Sequence, residues 1–595
     1  MKQEKINAEV ISVKPDKVKI SVEKLEDFKI AEEDLKVGSY LQISDDNDII
    51  LIAIIESFSI DLIEVKKEDE KGSLYYDLER KYIIEASPIG IIEDNKFIRG
   101  GDTLSIPPKR VQPAELDYIK KIFENSVDEK VKFCFSKLSG NKDVNVPVNG
   151  NLFFNKHLAI VGASGSGKSH TIAKILQNAA RIKNEDVKGL NNSHIILFDI
   201  HSEYKAAFSE ANILDVSNFV LPYWLLNADE LEEFFLESGD RNNYNQASVL
   251  RKIITENKKI KNPGKQNIYF DSPLYFDIDE VLNCLVNLKN ETINSKSPDK
   301  IMIIDESYSL DNGKTNVDSG IMLSEEKKIE KFFEKVYEFH PTKNQNITKG
   351  NYADGTLDKF ISRFERKIKD NRLKFIFGKE AKEITFADTL KNLLSYIEKK
   401  QSNITLIDLS GVPFEVLSVT VSLISRLLFE YGYYYKKHHQ EIKTPLLLVY
   451  EEAHKYAPKS DLSRYRSSTV AIERIAKEGR KYGVTLAIVS QRPSEISETI
   501  FSQCNNFIAM RLTNPDDQNY VKRLLPDTLE GVTGMLPSLR CGEAILIGDS
   551  VIMPSVIQID RCEDEPSSND VKYIECWKRS WMEVNFDDIT DIWES

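Results

Sequence analysis

The chain has 595 residues, of which 41% are hydrophobic and 29% charged, and a net charge of −14. This is the composition of a globular protein with ample core, long enough for about three or four domains. It excludes a disordered or fibrous chain, and the acidic balance excludes a surface that coats nucleic acid everywhere while leaving room for a locally basic channel.

No apolar run approaches the ~20 residues that span a bilayer. The opening MKQEKINAEV holds no hydrophobic signal segment. The six cysteines (Cys134, Cys284, Cys504, Cys541, Cys562, Cys576) are scattered without a CxxC pair, so neither a disulfide framework nor a zinc site is indicated. A cytoplasmic location is expected.

In chain order, residues 1–108 read as closely spaced short strands. Val18, Ile20 and Val22 alternate with polar neighbours, Pro15-Asp16 marks a turn, and ISDDNDII has the form of a hairpin tip. A small N-terminal β-barrel is expected. PAELDYIKKIF then starts a helix, with Pro113 near its first turn and Leu116, Ile119 and Phe123 on one face. The strand-loop-helix texture of an α/β core occupies 109–225. Residues 226–395 turn Lys/Glu/Asn-rich and read as a helical insertion, the core resumes over 396–560, and 561–595 is a tail ending in the acidic FDDITDIWES.

The decisive stretch is LAIVGASGSGKSHT at 158–171. It holds Gly162, Ala163, Ser164, Gly165, Ser166, Gly167, Lys168 and Ser169 in the G-x-x-x-x-G-K-S order, followed by His170. Glycines let backbone N–H groups close round phosphates, Lys168 sets a point charge on the β and γ oxygens, and Ser169 offers a hydroxyl to Mg²⁺ at a helix N-terminus. An apolar strand precedes the loop, and Ile172, Ile175, Leu176 and Ala179 form the buried face of a helix behind it. The expected cofactors are ATP and Mg²⁺.

Two stretches compete for the acidic half of such a site. KIMIIDESYS at 300–309 has Asp305-Glu306, and LLLVYEEAHK at 446–455 has Glu451-Glu452. The second has neighbours of its own kind: ITLIDLSGVP at 404–413, a helix with Leu417, Val421, Ile424 and Leu428 on one face, and VTLAIVSQRP at 484–493. The first stands alone in polar helical sequence. A parallel sheet needs neighbouring strands, so Glu451 is expected to hold the hydration shell of the metal and Glu452 to orient the attacking water. Asp305-Glu306 reads as a strand end or turn in the insertion.

The ordered set GASGSGKSHT, DIHSEY, DLSGVP, VYEEAHKYAP, IAKEGRKYGV and SQRPSEIS resembles the HerA branch of the HerA/FtsK ATPases over 150–225 and 400–560. The resemblance implies an α/β fold: a RecA-like P-loop ATPase core with an N-terminal β-barrel and a large helical insertion. It also implies a hexameric translocase or helicase acting on duplex DNA without regard to sequence. Ser202 departs from the pattern, standing where glycine is frequent. By resemblance Arg480 approaches the γ-phosphate of a neighbouring subunit, the alternative being a solvated basic face. Gln491 would sense the γ-phosphate or water, the alternative being a strand-terminal amide. Asp199 and Glu203 would support the site, the alternative being ordinary caps.

DNA contact is less well marked. Lys455, Lys459, Arg464 and Arg466 lie among small polar residues after the acidic strand, as a phosphate-touching pore loop or an ordinary basic surface loop. Three classes remain: a ring translocase, a secretion or conjugation ATPase, and a ring scaffold that gates an effector. The resemblance implies an effector partner, a nuclease or a Sir2-like NADase, in DNA-end processing or anti-phage defence.

Overall fold

The computed structural model describes all residues except 1–7, 15–16, 23–35, 45–49, 69–73, 94–95, 101–109, 115, 184–188, 237–241, 305–318, 344–345, 398–400, 460–466, 525–532, 568–570 and 595. The Pro15-Asp16 turn and the tip of ISDDNDII therefore lie outside the described residues.

The N-terminal part is one antiparallel sheet of β1 (Ala8–Val13), β2 (Val18–Val22), β3 (Tyr40–Ser44), β4 (Ile50–Glu68), β5 (Leu74–Glu93), β6 (Lys96–Arg99) and β7 (Arg110–Pro113). The order is β1-β2-β5-β4-β3-β7, with β6 on β5. It curls like a barrel round its own core of Val18, Ile20, Leu41, Ile43, Ala53 and Ile84. It runs past residue 108 because β7 pairs with β3. Pro113 ends that strand, and the helix expected there spans Leu116–Glu124.

The second, larger sheet collects strands from distant parts of the chain. They are β8 (Lys132–Leu138), β9 (Asn141–Asn149), β10 (Leu158–Val161), β11 (His194–Asp199) and β12 (Asn212–Leu214). After the insertion come β17 (Ile404–Asp408), β18 (Leu446–Tyr450), β19 (Val484–Ser490), β20 (Asn506–Met510), β21 (Glu543–Gly548) and β22 (Ser555–Ile559). The order is β12-β17-β11-β18-β19-β10-β20-β21-β22-β8-β9. From β12 to β20 all pairs are parallel, and beyond β20 all are antiparallel. β10, β17 and β18 are buried at every residue, as strands covered by helices on both faces must be. This is a P-loop α/β sheet.

The insertion is only partly helical. Helices at Ala228–Phe235, Asn243–Lys261, Ile278–Asn290, Glu325–Glu334, Asp358–Ile368 and Phe386–Leu393 accompany a small antiparallel sheet. Its strands are β13 (Thr292–Asn294), β14 (Ser297–Ile301), β15 (Ile321–Met322) and β16 (Ile347–Lys349). Ile301, which leads toward Asp305, belongs to that sheet and pairs with Ile293 and Ile321. Asp305 and Glu306 themselves lie outside the described residues.

Candidate nucleotide-hydrolysis site

β10 lies between β19 and β20, so the loop leaving it is flanked by the C-terminal ends of both. The Gly162 N–H donates to Ser490 O at 3.2 Å and the Ala163 N–H to Arg511 O at 2.7 Å, pinning the loop to both neighbours. A Cβ on Gly162 would stand 2.6 Å from Ser166 Oγ and 2.8 Å from Met510 Cβ, so this position requires glycine. Gly167, with φ 101°, turns the chain into the helix Lys168–Ala180. Lys168 Nζ donates to Ala163 O at 3.2 Å. Burial pushes its pKa down, and the charges of Glu452, Glu451 and Glu203 oppose that fall. Ser169 Oγ donates to Glu203 Oε2 at 3.0 Å.

The acidic pair follows β18, one strand beyond β19. Glu451 is 5% and Glu452 3% exposed. Burial, followed by the charges of Asp199, Glu203 and Glu452, pushes Glu451 up to about 9. Its Oε2 is buried without a hydrogen-bond partner. Glu452 sits at φ 46°, ψ 45°, a left-handed conformation uncommon for a side chain of this size. Gln491 Nε2 donates to Glu452 Oε1 while Gln491 Oε1 accepts from Ser164 Oγ, so the amide ties the acidic strand to the phosphate loop. His454 Nδ1 comes within 3.2 Å of Glu452 Oε2 but off hydrogen-bond geometry, leaving that oxygen unbonded. Burial, the largest single influence, pushes the Glu452 carboxyl up, but the nearness of His454, the Gln491 hydrogen bond and the charge of Lys168 together hold it below its usual range.

Asp199 acts on backbone. Its carboxylate accepts the N–H groups of His201 (3.2 Å), Glu203 (3.2 Å) and Tyr204 (3.0 Å), which is the cap alternative. In doing so it shapes the turn that delivers Glu203 to Ser169. Ser202 lies in that turn at φ 56°, which explains why glycine is favoured at this position in the motif it departs from. Its hydroxyl donates to Asp408 Oδ2 at 3.0 Å.

Not every expected residue joins this cluster. Arg480 lies in a short 3-10 turn, Gly479–Tyr482, before β19 begins. Seven residues of strand, about 23 Å at ~3.3 Å each, separate it from the phosphate-loop edge. It is exposed, and its charge adds to the burial that pushes His157 down. Of the loop after the acidic strand, Lys455 Nζ meets His201 Nε2 at 3.1 Å and Lys459 Nζ pairs with Glu498 at 2.6 Å. Arg464 and Arg466 lie outside the described residues. His170 approaches Glu565 at 3.9 Å.

Sequence reasoning missed Arg511. It follows β20 on the other flank of the loop, and its Nη2 is 3.4 Å from Gly165 O. Only the strand order, which places β20 beside β10, could have singled out this arginine.

The donor set suits a magnesium nucleotide. Ser169 and Glu203 meet at the glycine-lined loop, Glu451 and Glu452 act on the same lysine, and each of that pair has one orphaned carboxylate oxygen. Among the described residues no group of three or more His, Cys, Asp or Glu forms a metal cage.

Residues 133–428 match the family described as "Helicase HerA, central domain". A Methanocaldococcus jannaschii protein named "Probable helicase" is 25% identical over 572 residues, covering 93% of this chain and 92% of its own. The DNA double-strand break repair helicase HerA of Sulfolobus acidocaldarius is 28% identical over 475 residues, 78% of each chain. Among solved structures, VirB4 of Thermoanaerobacter pseudethanolicus superposes with TM-score 0.45 at 13% identity, over 73% of this chain and 98% of its own. The bacterial conjugative coupling protein TrwB gives TM-score 0.43 at 12% identity, over 75% and 93%. With its phosphate loop, acidic strand and HerA central domain, the chain belongs to the HerA-type ATPases and is an ATP-hydrolysing enzyme.

Proposed function

We propose that this chain is an ATP-driven translocase or helicase on duplex DNA, assembled as a homo-hexameric ring in the cytoplasm with Mg²⁺ as cofactor. The observation that carries the ring is the placement of Arg480, exposed at the edge of the sheet opposite its own phosphate loop. So placed, Arg480 is far from its own phosphate loop and open to the site of a second copy.

Within one copy, Gly162 to His170 and Lys168 bind the phosphates, with Arg511 as a second cation beside the loop. Ser169 and Glu451 would hold Mg²⁺, which when bound neutralises β and γ oxygens. Glu452 positions the attacking water with the oxygen that Gln491 leaves free. Gln491 joins water, carboxylate and loop, so its amide registers loss of the γ-phosphate. Arg480 of the next subunit then meets charge on the transferring group.

Relatives named for DNA double-strand break repair support DNA as the substrate, with Lys455, Lys459, Arg464 and Arg466 as contacts to phosphate. A nuclease or Sir2-like effector would act with the ring in end processing or anti-phage defence. The test is ATPase rate with and without duplexes of unrelated sequence. Equal stimulation by all of them is expected. ATPase that no DNA stimulates would turn the reading toward a secretion ATPase.

A further inference from the structure

The acidic pair is held through its main chain as well as its side chains. Tyr456 is 1% exposed, with its ring packed 6.0 Å from that of Tyr450, the last residue of β18. Burial pushes the pKa of its phenol well up, so the hydroxyl stays protonated, and it donates to Glu451 O. That oxygen belongs to the peptide group whose nitrogen is that of Glu452, and the orientation of this group sets φ of Glu452. A glutamate at φ 46° persists only where its surroundings over-determine it. The Tyr456 hydroxyl supplies such a restraint, at the peptide that aims the Glu452 carboxylate.

The backbone of Tyr456 leads away from the site. Its carbonyl accepts the Ser468 hydroxyl, and the Thr469 hydroxyl at 3.4 Å, both in the first turn of the helix Ser467–Glu478. Ser468 Oγ lies 3.0 Å from Ser418 Oγ, on the helix Phe414–His439. The Ser467 N–H, at the head of the first of these helices, donates to Glu233 Oε2 at 2.7 Å, a carboxylate placed at the positive end of the helix dipole. Glu233 belongs to the first helix of the insertion, Ala228–Phe235. That helix is itself keyed to the core, since buried Glu230 pairs with Arg426 at 2.8 Å and accepts from the Ser422 hydroxyl at 2.8 Å. A line of bonds therefore runs from the insertion through Ser467, Ser468 and Tyr456 to the peptide between Glu451 and Glu452.

We propose that Tyr456 is a positioning residue for hydrolysis, fixing the Glu451–Glu452 peptide so that the Glu452 carboxylate faces the attacking water, and that Glu233 of the insertion sets this grip through the head of the helix Ser467–Glu478. The proposal rests on the reading of Glu452 as the carboxylate that positions water. Without the hydroxyl the peptide is free to rotate, and Glu452 relaxes toward the ordinary right-handed or extended regions. Its carboxylate then turns from the water while Lys168 and the loop amides that bind phosphate are untouched. The insertion thereby takes part in turnover from outside the nucleotide site.

The test compares full-length Tyr456→Phe, which loses one hydroxyl, with the parent. Its kcat should fall about tenfold, the worth of one buried hydrogen bond expressed in a rate, with ATP affinity in equilibrium binding unchanged. A hydroxyl with a merely structural role would lower the melting temperature and leave kcat of the folded protein at the parent's value. That result overturns the proposal, and so does an equal loss of affinity and kcat. Glu233→Ala, half-buried at the far end of the line, decides the matter if Tyr456→Phe does not fold: its kcat should fall about threefold at unchanged affinity, and an unchanged kcat overturns the proposal. In the double variant the two losses should not multiply, because both act through one peptide; a full product overturns the line. Glu452→Gln separates the proposal from its premise. A Glu452→Gln chain as fast as the parent overturns both together, whereas a dead Glu452→Gln beside a fully active Tyr456→Phe overturns the proposal alone.

Discussion

The two edges of the parallel sheet are built on opposite principles. At the C-terminal edge, Ser164, Gln491 and Glu452 form an unbroken hydrogen-bonded chain, Ser169 rests on Glu203, and Glu451 and Glu452 are almost fully buried. At the N-terminal edge, Arg480 and Lys481 stand in solvent after a helix that ends at Glu478. Buried polar groups are expensive unless satisfied, so the first edge must be assembled in the single chain. The second carries no such constraint. On the proposed trans role of Arg480, one copy holds nearly all of a nucleotide site and offers the missing cation to the site of another.

The largest effect should come from breaking the buried edge. Glu452→Gln keeps the bond to Gln491 in shape but removes the carboxylate that positions water. Turnover should drop roughly 10²–10⁴-fold, the usual worth of a positioned base, while ATP still binds. Asp305→Asn should be nearly silent, because Ile301 leads to it from the small sheet of the insertion. Purified-enzyme ATPase rates decide between them, and the reverse ranking would sink the assignment of the acidic pair.

Breaking the exposed edge should be almost as costly. Arg480→Ala should cost about 10³-fold in hydrolysis, at the low end of measured arginine fingers, without changing nucleotide affinity or folding. Mixed with Lys168→Ala, it should regain activity at interfaces where an intact loop meets an intact arginine. Co-assembled mixtures that stay dead would place the arginine's role within its own chain.

Most of the buried edge was legible in the sequence, because each part is short and local. A glycine-lysine loop after an apolar strand announces itself, and Glu451-Glu452 was separable from Asp305-Glu306 by asking which strand had parallel neighbours. Arg511 was not legible: its relevance depends on β20 lying beside β10, a pairing between strands about 350 residues apart that no local pattern encodes. The strands of the insertion were hidden for another reason. β13 to β16 are two to five residues long, too short for alternation to show against polar helical sequence. The left-handed turn at Ser202 was visible only as an oddity until its φ gave the cause.

A smaller effect concerns the loop after the acidic strand. Lys459 is tied to Glu498 and Lys455 to His201, so Arg464 and Arg466 carry most of the expected phosphate contact there. Replacing both with alanine should weaken duplex binding uniformly across sequences and reduce the log–log salt slope by at most about two, at ~0.9 per phosphate. Basal hydrolysis should persist because the buried edge is untouched. An unchanged slope in titrations at several salt concentrations would move the DNA contact elsewhere.

The smallest effect probes the buried edge through its protons. Glu451 is pushed up to about 9, by burial first and by three neighbouring carboxylates second, whereas in the unfolded chain a glutamate titrates near ~4.3. Between those values the folded, nucleotide-free protein holds a proton that the unfolded chain has lost. The sign follows from linkage: the stability this group contributes is full below ~4.3 and is lost as pH rises toward 9. Glu451→Gln fixes the neutral state. Relative to the parent, its stability should rise steadily as pH goes from 6 to 9, by a few kcal/mol in all, on the order of a few degrees of melting temperature in a chain of this length. Scanning calorimetry of both proteins without nucleotide or magnesium, at pH 6, 7.5 and 9, measures the divergence. Parallel melting curves would mean that Glu451 is already ionised in the folded chain. The orphaned oxygen would then be a standing anion awaiting its metal rather than an acid that gives up a proton to receive it.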